Sequence, residues 1–262
     1  MDYQGEFRGK RVVVTGAAGI YGGWIAAMFA REGAHLCLSD MRRDKLEEVA
    51  KNLRLDPANT LLHGTDLTEE SSIAELSALV EKQWGAPDFV INNAGVYPRT
   101  GVLIHLETSE FDRIMSVNVR APFLVTRYLS KLMVAAKTAD AAFVNIGSGA
   151  ARQMPSGSVT YCMSKTALER LSKGQALELA PHRIRVNVVE PGFAPGSEVS
   201  LLPEEYVERM TARIPLGRTS GPEDAPGMVM FLCSQAANNI TGAVVAVDGG
   251  NSIGTYQPPS NS

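Results

Sequence analysis

The sequence has few cysteines and few histidines, and neither kind of residue is grouped. Its 262 residues include three cysteines, Cys37, Cys162 and Cys233, which are far apart and odd in number. Such spacing fits neither a disulfide framework nor a cysteine metal site, so we expect buried, reduced thiols. The four histidines show no metal-ligand spacing, and the sequence therefore indicates no metal site.

The sequence also lacks a run of like charges and a long apolar run. Lysine and arginine total 25 against 28 acidic residues, a net charge of −3, which gives no electrostatic case for binding nucleic acid or an anionic membrane. No uninterrupted apolar run is long enough to span a bilayer. The first residues, MDYQGEFRGKR, contain no apolar leader segment, so we expect a cytoplasmic protein.

A linker rich in proline, glycine and serine is missing too, and we find no internal repeat. We therefore predict a single domain over residues 1–262. The least regular stretch, 191–203, precedes a predicted short helix at 204–213. Such an insertion between two late strands is typical of a lid, so we predict a substrate lid at about 191–215 and a loose tail at 255–262.

Short β-branched runs alternate with longer segments of helical period along the whole chain. The runs lie at 11–14, 35–39, 60–64, 88–92, 141–146, 183–189 and 243–247. They are apolar on both faces, which is typical of parallel strands covered by helices on each side. The pattern predicts an α/β fold, a doubly wound Rossmann-type parallel sheet of about seven strands with helices on both faces.

The stretch TGAAGIYGG, residues 15–23, lies where the first predicted strand passes into a helix. Glycines at such a turn let the backbone approach a pyrophosphate, and the helix N-terminus offers unpaired N–H groups to its charge. Asp40, at the end of the second strand, lies where an acid accepts hydrogen bonds from the adenosine ribose. Asp66, after the third strand, is a candidate for contact with the adenine edge. The turn is thus interpreted as a dinucleotide site.

Asp40 also has a simpler interpretation as the N-cap of the helix that follows it. In the ribose role its carboxylate would repel a 2′-phosphate, which favours NAD over NADP. Arg42 and Arg43 weaken that preference, because either could pair with a phosphate. They could equally be solvated side chains of the first helical turn.

A series of motifs follows this turn in a characteristic order. They are NNAG (92–95), SVNV (116–119), NIGSG (145–149), YCMSK (161–165), NVVEPG (187–192), IPLGR (214–218), ITG (240–242) and VDGG (247–250). In these motifs, over nearly its whole length, the chain resembles the compact single-domain branch of the short-chain dehydrogenase/reductase superfamily. The compact branch usually carries T-G-x-x-x-G-x-G in its glycine turn. Here Thr15, Gly16, Gly19 and Gly22 spell T-G-x-x-G-x-x-G instead, as in the extended branch, and Ile20 stands where a glycine is usual.

Tyr161 and Lys165 are four residues apart and hence on one face of a helix. A neighbouring ammonium favours the phenolate, so we expect the pKa of Tyr161 to be lowered toward the range of a general acid/base. The resemblance implies this role for Tyr161. It also implies that Lys165, besides acting on Tyr161, holds the nicotinamide ribose. It also implies that Ser148 donates to the reacting oxygen and that Asn118 holds a water linking the lysine to solvent.

The resemblance implies a cofactor site that extends over several loops. Its predicted residues are Gly16, Ala18, Gly19, Ile20, Tyr21, Asp40, Met41, Asp66, Leu67, Asn93, Ala94, Gly95, Tyr161, Lys165, Pro191, Gly192 and Phe193. Arg99 and Arg152, in loops near the same sheet edge, are candidates for gripping a substrate carboxylate, although exposed loop arginines are common.

The function predicted from the sequence is interconversion of a secondary alcohol and a ketone by an NAD-dependent oxidoreductase. An NADPH-dependent 3-oxoacyl-[acyl-carrier-protein] reductase is the alternative enzyme, and a non-catalytic dinucleotide sensor is the alternative from another class. Two long helical segments, 110–136 and 158–179, carry more apolar residues than one sheet face needs. With the apolar last strand, they predict a homotetramer, the commonest arrangement in the family.

Overall fold

The computed structural model describes residues 3, 5–97, 102–196 and 202–257. Its β-strands are β1 Arg11–Thr15, β2 His35–Asp40, β3 Thr60–Gly64, β4 Phe89–Asn92, β5 Ala142–Ile146, β6 Arg185–Pro191 and β7 Val244–Val247. Its α-helices are α1 Ile20–Arg31, α2 Arg43–Asn52, α3 Glu70–Trp84, α4 Thr108–Met115, α5 Ala121–Ala136, α6 Val159–Leu179, α7 Glu204–Thr211 and α8 Ala225–Cys233. A π-helical turn, Ser116–Arg120, joins α4 to α5.

The seven strands form one sheet in the order β3-β2-β1-β4-β5-β6-β7, and every neighbouring pair is parallel. The strand order changes direction between β1 and β4. In a doubly wound sheet, ligands bind in the crevice that this reversal opens at the carboxyl ends of the strands. The loops after β1 and β4 are therefore the ones that the topology places around a site.

Successive side chains of a strand point to opposite faces of the sheet, and both faces are buried here. Val12 and Val14 of β1 pack into the core beneath α1 and α8, whereas Val13 between them packs into the core beneath α3 and α5. This alternation explains why the strands read as continuous apolar runs in the sequence.

The predicted fold class is confirmed. Each of the seven predicted strands agrees with an observed strand to within two residues at either end. The predicted helix at 204–213 corresponds to α7, while part of the predicted lid, 197–201, lies outside the described residues. Of the predicted loose tail, residues 255–257 are exposed and without regular structure, and the rest lies outside the described residues.

No helix in the described ranges combines the length and the apolar character that crossing a membrane requires.

Candidate active site

A groove of about 540 Å³ lies at the carboxyl ends of β1 and β4, where the strand order reverses. Eleven of the residues that the sequence predicts as cofactor contacts line it. These are Gly16, Gly19, Ile20, Tyr21, Asp40, Met41, Asp66, Leu67, Asn93, Ala94 and Gly95. A groove of this size and position fits a dinucleotide.

The glycine turn forms one wall of the groove and needs its glycines for close approach. Gly16 has φ of +63°, and a Cβ on it would lie 2.7 Å from Ala94 Cα. The Asn93 side chain ties the turn to the loop after β4, because Nδ2 donates to Thr15 O and Gly16 O, both at 2.9 Å. At Gly22 a Cβ would collide with the Gly16 carbonyl oxygen.

The first turn of α1 is open to an anion. Its N-cap residue, Gly19, has no side chain that could accept from the N–H groups of this turn. Ile20 is the first helical residue and lies half-buried at the groove, so the substitution of the usual glycine changes the lining and leaves the helix N-terminus in place. These features fit the pyrophosphate of a dinucleotide.

Asp40 is held at the opposite end of the groove by the backbone. Its Oδ2 accepts from Ala18 N at 3.2 Å and its Oδ1 from Arg42 N at 3.1 Å. The N-cap residue of α2 is Arg42, so Asp40 does not have the helix-cap role that was its alternative interpretation. Arg42 lines the groove with its Nε 3.6 Å from Asp40 Oδ1, whereas Arg43 donates to Leu62 O and is not among the lining residues.

Asp66 closes the turn that leads into α3. Its Oδ1 accepts from the backbone N–H and the hydroxyl of Thr68 at 2.9 and 2.7 Å. Leu67 next to it is buried, and Met41 at the same end of the groove is 64% exposed. This end therefore offers a carboxylate together with two apolar side chains.

Ser148 and Tyr161 meet at the carboxyl end of β5. Ser148 follows the strand and caps a 3-10 turn, with its Oγ accepting from Ala150 N at 3.2 Å. Burial raises the pKa of Tyr161 above its usual value, and hydrogen bonding with the Ser148 side chain acts in the opposite direction. The expected lowering of the Tyr161 pKa is wrong for this structure, because burial is the largest cause of the shift and raises the pKa.

Lys165 is buried one helical turn beyond Tyr161. Its Nζ donates to Ile146 O at 2.9 Å and lies 5.8 Å from the centre of the Tyr161 ring. Burial lowers the pKa of Lys165 to about 8, and the charge of Glu190 opposes this shift. A Cβ on the groove residue Gly95 would lie 3.5 Å from Nζ, so the ammonium group is directly behind the groove wall.

Asn118 lies in the π-helical turn, a feature that often marks functional positions. Its Oδ1 accepts from Val96 N at 2.8 Å, and its Nδ2 donates to Val96 O and Ser164 Oγ, both at 3.0 Å. The side chain thus joins the loop after β4 to α6. The predicted water-holding role of Asn118 stays a prediction.

Tyr97 is a site residue that the sequence reasoning missed. Its ring meets the Tyr161 ring edge-on with centroids 4.7 Å apart, and its hydroxyl lies 3.2 Å from Ser158 Oγ. It also lines the groove and is 64% exposed. As the first aromatic residue after NNAG, it could have been found by extending that motif along its loop. The groove lining also includes Thr65, Val96, Val117 and Ala194.

Some predicted cofactor residues lie beside the groove rather than in its lining. These are Ala18, Tyr161, Lys165, Pro191, Gly192 and Phe193. Gly192 O accepts from the Tyr21 hydroxyl at 2.8 Å, and the Phe193 ring packs edge-on against Tyr206 of α7 at 6.4 Å. The chain after β6 is therefore held between the glycine turn and α7.

Two arginines, Arg99 and Arg152, are predicted from the sequence as candidates for binding a substrate carboxylate. Arg99 lies outside the described residues. Arg152 has partners in the protein, since its Nη1 lies 2.5 Å from Glu190 Oε2 and its Nη2 donates to Ser252 Oγ at 2.6 Å. Both of its terminal nitrogens are thus engaged, which does not support a role in gripping a substrate carboxylate.

Comparison with known proteins agrees with this geometry. The family described as enoyl-(acyl carrier protein) reductase matches residues 16–252. The chain is 32% identical to the 3-oxoacyl-[acyl-carrier-protein] reductase FabG of Thermotoga maritima over 94% of this chain and 98% of that one. It is 34% identical to the cis-4-hydroxycyclohexanecarboxylate dehydrogenase of Sinomonas cyclohexanicum, with the same coverage.

Among solved structures, a short-chain type dehydrogenase/reductase from Mycobacterium marinum is similar with a TM-score of 0.87. It is 29% identical, and the match covers 94% of this chain and 97% of that one. The sheet order, the glycine turn and the positions of Ser148, Tyr161 and Lys165 agree with these relationships. The chain belongs to the short-chain dehydrogenase/reductase superfamily of oxidoreductases.

Proposed function

We propose that this protein is an NAD-dependent oxidoreductase that interconverts a secondary alcohol and a ketone. The observation that carries the proposal is the cluster of Ser148, Tyr161 and Lys165 directly beside the groove. Tyr97 connects this cluster to the groove, because Tyr97 lines the groove and its ring contacts the ring of Tyr161. The relatives include a reductase of 3-oxoacyl groups and a dehydrogenase of a cyclic hydroxy acid, both of which interconvert a hydroxyl and a carbonyl group.

When bound, the nicotinamide supplies the hydride acceptor or donor. Tyr161 exchanges the proton of the substrate oxygen through its hydroxyl. A tyrosine carries its proton at neutral pH, and burial raises the pKa of Tyr161 further, so the side chain is in the form that can protonate a ketone oxygen. The Ser148 hydroxyl donates to the same oxygen as charge develops on it, and Lys165 supplies positive charge behind the tyrosine.

A panel of secondary alcohols and ketones tests this function. The purified protein is expected to reduce NAD with some of the alcohols, as measured by the absorbance of NADH. Measurable NAD binding with no turnover across a broad panel would contradict the enzyme and favour a dinucleotide sensor.

The choice of NAD rests on Asp40. Its carboxylate is fixed at the groove by Ala18 N and Arg42 N, where it would accept from ribose hydroxyls and repel a 2′-phosphate. The alternative, an NADPH-dependent 3-oxoacyl-[acyl-carrier-protein] reductase, is supported by the similarity to such a reductase and by Arg42 at the groove. Comparing the affinities for NADH and NADPH distinguishes the two.

Asp40→Ala is expected to weaken NAD binding and to improve the relative use of NADP, because a carboxylate facing the 2′ position is replaced by a neutral side chain. Alanine also removes the acceptor for Ala18 N. Asp40→Asn keeps an acceptor oxygen and removes only the charge, so it is the matched control. Both variants are expected to shift the ratio of kcat/KM values toward NADP by about tenfold, the effect of about 1.4 kcal/mol. An unchanged ratio in both would exclude Asp40 as the determinant of cofactor preference.

We also propose that the protein forms a homotetramer. Several large apolar side chains on the outer faces of α5 and α6 are exposed, namely Phe123, Val134, Val159, Met163 and Leu177. The apolar strand β7 lies at the edge of the sheet with its side chains only partly covered. Association would cover both surfaces.

Light scattering at micromolar concentration is expected to give four times the mass of 28.1 kDa. A mass of one chain would contradict the tetramer and would mean that these surfaces stay exposed in solution.

A further inference from the structure

A carboxylate is buried directly behind the catalytic residues. Glu190, near the end of β6, is completely buried. A Cβ on Gly147 would lie 3.0 Å from Glu190 Cγ, so the glutamate side chain packs against the residue that precedes Ser148. The tight fit at Gly147 brings the end of β5, with its serine, close to this acid.

The partners of Glu190 are other charged groups. Arg152 Nη1 lies 2.5 Å from Glu190 Oε2, yet neither carboxylate oxygen makes an aligned hydrogen bond to a described residue. The Oε1 atom of Glu169 is buried and accepts from no donor within the same ranges. Burial, and then a hydrogen bond with the Glu169 side chain, raise the pKa of Glu190 to about 7, and Arg152 opposes both.

Glu169 is one helical turn beyond Lys165 on α6, so it lies on the same side of the helix as the lysine. Burying a carboxylate costs free energy, and a neutral side chain of similar shape often packs as well or better. Packing alone therefore does not explain a completely buried acid at this position.

Lys165 is the group that this acid affects. Its ammonium is buried, donates to one carbonyl, and has no ion pair in the described part of the chain. The acceptor of Nζ, Ile146 O, directly precedes Gly147, against which the Glu190 side chain packs, so the acid and the ammonium meet at the same end of β5. Burial favours loss of the Lys165 proton, and the charge of Glu190 opposes that loss. The lysine must stay protonated to support Tyr161, because only the ammonium form places positive charge behind the phenol.

We propose that Glu190 is a positioning residue whose buried charge keeps Lys165 protonated beside Tyr161. The proposal rests on the proposed function only in that Lys165 takes part in catalysis. Arg152 favours the ionisation of Glu190, and Glu169 opposes it. From the chain after β7, Asp248 accepts from Ser252 N at 2.9 Å and so orients the serine that binds Arg152.

The titration of Lys165 in the protein without cofactor or substrate tests this directly. Lysine labelled with 13C at Cε is observed by NMR, and the Lys165 signal is assigned by its loss in Lys165→Arg. In Glu190→Gln the midpoint is expected to fall by about one pH unit, since an opposite charge near the ammonium has been removed. An unchanged midpoint in this variant would overturn the proposal, whether or not the protein proves to be an oxidoreductase.

Glu169→Gln is the matched control, because it also converts one acid of the pair to an amide. Glu169→Gln removes the negative neighbour of Glu190, so Glu190 is expected to ionise at lower pH. The midpoint of the Lys165 titration is therefore expected to stay or to rise. An equal fall in both variants would indicate a general loss of packing and would contradict the proposal.

The titration of Lys165 in the native protein is a second test that needs no variant of Glu190 or Glu169. The Lys165 signal is expected to show a second, smaller inflection where Glu190 ionises, and a single inflection would count against the proposal.

The charge of Glu190 is also expected to affect the pH dependence of catalysis. In Glu190→Gln the alkaline limb of the pH profile of kcat should move to lower pH, because Lys165 loses its proton earlier. KM is expected to stay within about twofold, since Glu190 is behind the groove and not in its lining. A change in KM with an unmoved pH profile would assign Glu190 to substrate binding instead.

Discussion

Tyr161→Phe is expected to reduce kcat/KM by about a thousandfold or more while leaving NAD binding nearly unchanged. The variant removes the hydroxyl that hydrogen-bonds with the Ser148 side chain and that we propose exchanges the proton. General acid/base catalysis contributes factors of about 10² to 10⁴. Little contact area is lost, and Tyr161 lies beside the groove rather than in its lining. Turnover is followed by NADH absorbance and binding by titration of the protein with NADH.

Tyr97→Phe is the matched control for this experiment. It removes a hydroxyl from the ring that contacts Tyr161, a hydroxyl that lies 3.2 Å from Ser158 Oγ. We expect less than about a tenfold loss, because a neutral hydrogen bond contributes about 1 kcal/mol. If Tyr161→Phe retained most of the activity, Tyr161 would have no part in proton transfer.

Gly22→Ala is expected to damage the cofactor groove, whereas Gly23→Ala is expected to be harmless. Both glycines lie in the first turn of α1. A Cβ on Gly22 would lie 2.8 Å from Ala17 Cα and 2.8 Å from Asn93 Nδ2, in addition to its collision with the Gly16 carbonyl oxygen. On Gly23 the nearest atom, Ala17 O, would be 3.8 Å away, which is ordinary contact.

The collision at Gly22 must move the glycine turn or the helix, at a cost of about 1–3 kcal/mol. Because the moved atoms form the groove wall, we expect NAD affinity to fall by about tenfold or more, with a lower free energy of unfolding. Gly23→Ala is expected to raise the free energy of unfolding by about 0.5 kcal/mol through helix propensity. Denaturant unfolding and NAD titration measure both effects. Equal behaviour of the two variants would show that close approach at Gly22 is not required.

The sequence by itself determined the fold and located the residues that we propose are catalytic. Parallel strands buried on both faces must be apolar throughout, so their positions could be predicted to within two residues. The turn at 15–23 and the Tyr161/Lys165 pair could be located because their chemistry depends on spacing within one element or one turn. These are local patterns, and local backbone geometry is enough to interpret them.

Only the tertiary structure decided the electrostatics of the site. The spacing of Tyr161 and Lys165 predicts a lowered tyrosine pKa, but burial by distant parts of the chain raises it. The charge of Glu190 opposes the fall in the Lys165 pKa because α6 packs against β6, although 25 residues separate the two in sequence. Arg152 is likewise engaged by an acid 38 residues away. Desolvation and the approach of charges depend on which elements pack together, and no local period encodes that arrangement.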